Sequence, residues 1–275
     1  MPNRAITKIK NAIIALAYKI NFVWRLLATG FAFAAFGIGA VILSITVFPV
    51  LCYAPKSAHW KKQSIRIAIS RTMLFYLTML RALGLMTYEV NGRENLASKG
   101  QLIVCNHPSL LDVVFIISLV KRTSCAVKSA LWENPFTRGV VSAAEYIPNT
   151  DSQFVEKGVA ALNRGESLII FPQGTRSPIP ERVNFKRGAA NTALFAEKDL
   201  TPICISCLPE TLAKGDPWYK VPARRPHFTI DIGQPFAISP FLINEDANSK
   251  RARQLNEALE SYFNQCQQQL CADTI

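Results

Sequence analysis

With 275 residues the chain is long enough for one substantial domain and an appendage. Its net charge of +12 is unevenly spread: residues 1–88 hold eleven of the 31 Lys and Arg and no Asp or Glu, so the other 20 basic residues meet all 19 acidic ones. Basic charge joined to apolar runs in one terminal third points to an anionic membrane surface and away from nucleic acid. Seven cysteines at irregular spacing argue against a disulfide scaffold and for reduced thiols in a cytosol-facing protein.

Residues 4–27 pattern as an amphipathic helix. Ile6, Ile9, Ile13, Leu16, Ile20, Val23, Trp24 and Leu27 form one stripe, and Arg4, Lys8, Lys10, Lys19 and Arg25 fall on the other half. A helix of this kind lies in a lipid interface or packs on the protein's own core. Leu26 to Pro55 contains no charged residue, which exceeds the roughly 20 residues needed to cross a hydrocarbon core. The run begins too late and is too long for a cleaved signal peptide. Basic residues flank it on both sides, with Lys56, Lys61, Lys62, Arg66 and Arg71 following, so the positive-inside rule keeps both flanks on one face. The short run Met73–Leu80 fits a helix partly sunk in one leaflet. Residues 26–85 are therefore expected to form a helical hairpin that enters the bilayer and returns or lies within one leaflet, with a true span as the alternative.

After Gly84 the character changes. Strands are expected at Thr87–Val90, Gln101–Cys105, Ser124–Val127, Ser167–Phe171, Thr201–Leu208 and His227–Ile232. Helices are expected near 110–121, 134–144, from Asp151 to Arg164, over 186–198 and over 244–269. Alternation of strands and helices predicts an α/β fold with a largely parallel, buried central sheet flanked by helices. The division is N-terminal amphipathic and membrane-embedded helices over 1–85 and an α/β domain over 86–275. Cys204 and Cys207 have a metal-like spacing, but on a strand residues three apart point to opposite faces. No metal site is expected.

Two strand ends carry chemistry-bearing residues. Asn106, His107 and Pro108 sit at a strand-to-helix turn, where open α/β sheets place their ligands. Pro108 disfavours a helical conformation at His107, so Asp112 in the first helical turn can fold back onto the imidazole. A carboxylate on one ring nitrogen fixes the tautomer and leaves the other nitrogen free to take a proton. Ser109-x-x-Asp112 also resembles a capping box, and both readings stand on this stretch alone. The second strand end is Phe171-Pro172-Gln173-Gly174-Thr175-Arg176-Ser177.

Asn-His-x4-Asp followed by Phe-Pro-Gln-Gly-Thr-Arg-Ser resembles the lysophospholipid acyltransferase family, typified by 1-acylglycerol-3-phosphate acyltransferases. The similarity covers about residues 85–235. It includes Ala126-Val127-Lys128-Ser129 with Asn134-Pro135-Phe136, then Phe185-Lys186-Arg187-Gly188-Ala189 and Thr201-Pro202-Ile203. The resemblance implies a glycerolipid-acyltransferase-like fold and an O-acyltransferase that takes a fatty acyl group from acyl-CoA or acyl carrier protein. It implies His107 as general base oriented by Asp112, with Asn106, Lys128, Gln173, Gly174, Thr175 and Arg176 binding substrate and no cofactor. Its partners would be membrane lipids and the acyl donor, at the cytoplasmic face of a membrane (the inner one if bacterial). Two departures point to an altered acceptor site. Gln173 stands where the family has Glu, and Glu145-Tyr146-Ile147-Pro148-Asn149-Thr150-Asp151 lacks the arginine of the family's Gly-x-Ile-x-x-x-Arg block. A non-catalytic acyl-lipid-binding relative and a thioesterase or lipid hydrolase on the same scaffold are the alternatives.

Overall fold

The computed structural model describes residues 2–96, 100–177, 182–243 and 247–272. Helix α1 (Pro2–Ile42) runs through a π-helical turn at Leu43–Val47 into α2 (Phe48–Tyr53). Pro49, at the start of α2, lacks the N–H that would bond one turn back, and the wider turn absorbs the fault, with the Phe48 N–H reaching the Leu43 carbonyl. The interfacial helix and the apolar run that the sequence separates are thus one continuous rod. It is the one helix among the described residues long and apolar enough to cross a membrane. Its outer side exposes Ile20, Val23, Leu27, Phe31, Ile38 and Ile45.

The chain turns at Ala54–Ser57, where the Ser57 hydroxyl accepts the Trp60 N–H at 3.2 Å and caps α3 (Ala58–Ala82). Helix α3 returns along α1: the Tyr76 hydroxyl donates to the Ala32 carbonyl at 3.3 Å, and the Phe36 and Tyr76 rings meet edge-on at 5.2 Å. The hairpin is therefore present, but α3 is not a lipid-only segment. Ile65, Ile69, Leu77 and Leu80 are buried in the protein core, and of the run read as sunk in a leaflet Leu74 and Phe75 are exposed.

Seven strands form one sheet: β1 (Thr87–Asn91), β2 (Leu102–Cys105), β3 (Thr123–Val127), β4 (Ile147–Pro148), β5 (Ser167–Ile170), β6 (Leu200–Leu208) and β7 (His227–Ile232). Their order is β1-β7-β6-β2-β5-β3-β4, parallel except where β6 meets β7. One face packs on α4 (Asp112–Leu119) and, behind it, on α1 and α3. The other packs on α7 (Phe154–Asn163), α8 (Gly188–Ala196) and α10 (Asn248–Ala272). Helix α4 is apolar nearly all round because it lies between the sheet and α3. Phe115 on it touches Tyr88 and Phe228 at 5.2 and 5.0 Å, a full burial that contributes about 2–3 kcal/mol.

The helix expected at 134–144 splits into α5 (Ala130–Glu133) and α6 (Arg138–Ala143), since Pro135 holds Asn134 extended. The expected start of the last helix, Asn244, lies outside the described residues. Cys204 and Cys207 are buried on opposite faces of the sheet.

A buried charge cluster ties α3 to the domain. Glu166, at the start of β5, accepts from Arg66 at 2.6 Å, Lys62 at 2.9 Å and Arg164 at 3.0 Å. Burial pushes its pKa up, but the three cations outweigh that and hold it at about 2.

Candidate active site

Strands β2, β5, β3 and β4 lie side by side and point the same way, so their carboxyl ends make one edge of the sheet. The loops after them bring His107, Phe171, Pro172, Gly174, Arg176, Lys128 and Asn149 to one cleft of about 460 Å³. That volume is in the range of small-molecule sites.

The turn after β2 is organised by the Asp112 carboxylate. Its Oδ2 lies 2.8 Å from His107 Nδ1 and accepts the Ser109 N–H at 2.7 Å. The carboxylate is wholly buried, while the imidazole keeps 15% of its surface open to the cleft. Burial pushes the Asp112 pKa above its ordinary value, and the bonds from His107 and Ser109 oppose that shift. The capping and chemical readings of Asp112 coexist: one oxygen serves both, and the other, Oδ1, is buried without a partner. The Phe171 ring stands 4.8 Å from the imidazole and restricts it from the side.

The two motif loops are bonded to each other. Gln173 Oε1 accepts the His107 N–H at 2.7 Å, and the Ser177 N–H donates to the His107 carbonyl at 2.9 Å. Neutral Gln173 thus keeps the acceptor function that a carboxylate would have there. Gly174 has φ +68°, a left-handed turn conformation that glycine adopts without strain, and its N–H closes back on the Phe171 carbonyl at 3.0 Å.

The structure divides the residues expected to bind substrate. Lys128, Gly174 and Arg176 line the cleft with His107. Gln173 acts on the His107 backbone from below, and Thr175 is half-buried outside the cleft lining. Asn106 corrects the expectation. It is wholly buried, and its side-chain amide donates to the Ile205 carbonyl at 2.8 Å and accepts the Ile205 N–H at 2.7 Å. Both halves of the amide are used in fastening the end of β2 to β6, so Asn106 fixes the turn and does not face a ligand.

Two wall residues had no role in the sequence reading. Asn149 follows β4, and its N–H is fixed to the Val127 carbonyl at 2.8 Å. Lys186 lies over Gly174, where a Cβ would sit 3.4 Å from its Nζ. The motif Phe185-Lys186-Arg187-Gly188 signalled Lys186, but only the fold shows that it reaches the same cleft. Lys128, Arg176 and Lys186 are thus three cations on a wall that includes no carboxylate among the described residues.

Residues 87–206, the stretch that carries both loops, match the family model described as Acyltransferase. Over that stretch the chain is similar to the acyltransferase family. It is similar to a 1-acyl-sn-glycerol-3-phosphate acyltransferase of Pseudomonas aeruginosa, 24% identical over 81% of this chain and 82% of that one. The enzyme of the same name from Saccharomyces cerevisiae is 32% identical over 48% of this chain and 46% of its own length. Among solved structures, the 1-acyl-sn-glycerophosphate acyltransferase of Thermotoga maritima superposes with a TM-score of 0.60 at 17% identity. It covers 87% of this chain and 97% of its own.

Proposed function

We propose that this acyltransferase is membrane-bound and moves a fatty acyl group from an acyl thioester, of CoA or of acyl carrier protein, to a lipid hydroxyl. The acceptor class is a lysophospholipid of the 1-acylglycerol-3-phosphate type. The observation that carries the reading is the His107–Asp112 pair at 2.8 Å, opening on a cleft walled by Lys128, Arg176 and Lys186.

In this reaction Asp112 accepts the Nδ1–H of His107, leaving Nε2 as the base. The acceptor hydroxyl gives its proton to Nε2 as its oxygen bonds to the thioester carbonyl carbon. The tetrahedral intermediate then expels the thiolate, which takes the proton back from the imidazolium. Ser109 is not a nucleophile, because its hydroxyl donates to the Thr211 carbonyl at 2.9 Å. The cations hold the anionic head group: Arg176 by its planar fork, Lys128 and Lys186 as point charges. The helices of residues 1–85 keep the α/β domain of residues 86–275 at the cytoplasmic face of the membrane, where the lipid acceptor is found.

The test is thiol release from long-chain acyl-CoA with 1-acylglycerol-3-phosphate as acceptor. Wild-type protein is expected to turn over, and His107→Ala to lose at least about 100-fold in kcat. Turnover by His107→Ala within a few-fold of wild type would remove the mechanism. Free fatty acid as the main product would convert the assignment to a hydrolase.

A further inference from the structure

Residues 209–226 join β6 to β7 as a loop without helix or strand. Their backbone carbonyls hold two distant parts of the molecule. On the side of the cleft, the Thr211 carbonyl accepts from Ser109 Oγ at 2.9 Å. The Leu212 carbonyl accepts the Leu110 N–H at 3.3 Å and Arg176 Nη1 at 2.7 Å, and the Ala213 carbonyl shares Nη1 at 3.1 Å. On the side of the long helix, the Pro222 carbonyl accepts Arg25 Nη1 at 2.8 Å. The Ala223 carbonyl accepts Arg25 Nη2 at 3.0 Å and the Tyr18 hydroxyl at 3.2 Å. Between these two ends, Trp218 lies over Gly30 and 6.4 Å from the Phe33 ring.

Arg25 is only 4% exposed, and its Nε has no partner. A guanidinium buried on a rod that is otherwise apolar beyond it loses its hydration, a cost offset only by the groups it binds. Those groups are both carbonyls of this one loop. Arg25, Leu111, Leu212 and Trp218 also border a hollow of about 60 Å³, which leaves the loop room to shift once released.

We infer that Arg25 is a positioning residue that acts through loop 209–226 on the turn at Ser109 and on the guanidinium of Arg176. The inference rests on the reading of the cleft as the acyl-transfer site, with Arg176 holding the acceptor's anionic group. It links the lipid-facing rod to acceptor binding: α1 reaches the turn at Ser109 and the guanidinium of Arg176 through backbone carbonyls that belong to one strap.

The test uses full-length protein in vesicles, with Arg25→Met, Arg25→Lys and Arg176→Ala, followed by hydrogen exchange and by steady-state kinetics. Arg25→Met is expected to speed exchange at the Leu110 amide at least about tenfold, while amides of β2 and α10 keep their wild-type rates. The KM for acceptor should rise about tenfold with kcat changed by less than about threefold. Arg25→Lys, which retains a donor for the carbonyls, should recover most of that loss. In the Arg176→Ala background, Arg25→Met should add less than about twofold, because both act on one contact. Unchanged exchange at Leu110, a uniform rise across all amides, or an equal KM penalty in both backgrounds would overturn the inference. Absence of acyl transfer by the wild-type protein would remove the functional reading instead, and the exchange arm would still decide the strap.

Discussion

Replacing Asp112 by Asn separates the two roles that its carboxylate combines. The amide oxygen can occupy the place of Oδ2 and keep the bonds to Ser109 N and His107 Nδ1, now 2.7 and 2.8 Å. What is lost is the charge that stabilises the imidazolium formed as His107 takes the proton. With charge centres about 4 Å apart and an effective dielectric near 20, that attraction is worth about 4 kcal/mol, or nearly a thousandfold in rate. Rotation of the amide would instead present its NH₂ to Nδ1 and impose the wrong tautomer, at a cost of about 10⁴ where that has been measured in triads. A fall in kcat of at least about 100-fold is expected on either path. Stability should move the other way. Burial raises the Asp112 pKa above its ordinary value of 3.8. A carboxyl group with a raised folded pKa favours the fold in its protonated form, so its ionised form is a burden at neutral pH that is relieved as pH falls. Asp112→Asn removes that burden and should melt at or above the wild-type temperature. The assay is thiol release at several pH values beside a thermal melt. A variant that melts lower while its kcat stays within about tenfold of wild type would show Asp112 to be a cap and refute the base-orienting role.

Asn106→Ala should leave the KM for acceptor near wild type and lower stability by roughly 3 kcal/mol, since it strands the buried N–H and carbonyl of Ile205. A raised KM with an unchanged melt would return Asn106 to the binding residues. Arg66→Met should cost about 3–5 kcal/mol in a denaturant titration, because it leaves Glu166 buried with a partner removed. The same carboxylate sets an acid limb. Its folded pKa of about 2 lies below its ordinary value of 4.5, so it contributes stability above pH 4.5 that is lost as pH falls through 2. In Arg66→Met the folded pKa rises towards 4.5, so that loss should be smaller and complete at higher pH, and an acid titration of the fold reads it directly.

The sheet and the two motif loops were legible because their signals are local. Leu102–Cys105 and Ser167–Ile170 are apolar runs closed by turn formers, and the pairing of β2 with β5 sets their loops side by side. The placement of α3 was less legible. The run Met73–Leu80 has one composition for two environments, with Leu77 and Leu80 buried in the core and Phe75 turned outward. Least legible was loop 209–226, whose contacts with Ser109, Leu110, Arg176 and Arg25 all run through carbonyl oxygens. Every residue carries a carbonyl, so no residue type marks such a contact. Only Arg25 leaves a trace, as the last charge before the apolar run, and the periodicity places it on the basic half of a surface helix. Asn106 misled for a related reason. A side-chain amide next to His107 has the chemistry to bind a substrate, and its use by the Ile205 backbone becomes visible only when β6 lies beside β2.

Gln173 and Asn149 bear on the acceptor together. Taken singly, the loss of a carboxylate at the first and of an arginine near the second each suggested a changed substrate. Gln173 still performs the geometric task, accepting the His107 N–H at 2.7 Å. Its neutrality removes one negative charge from beside the cleft, whereas Asp151 stands at the place of the arginine, so the two departures do not cancel and the β4 side is the less positive one. Lys128, Arg176 and Lys186 remain, with no carboxylate beside them on the wall. Three cations that share one small cleft repel each other unless an anion lies among them. The three cations therefore favour an anionic head group over a neutral acceptor.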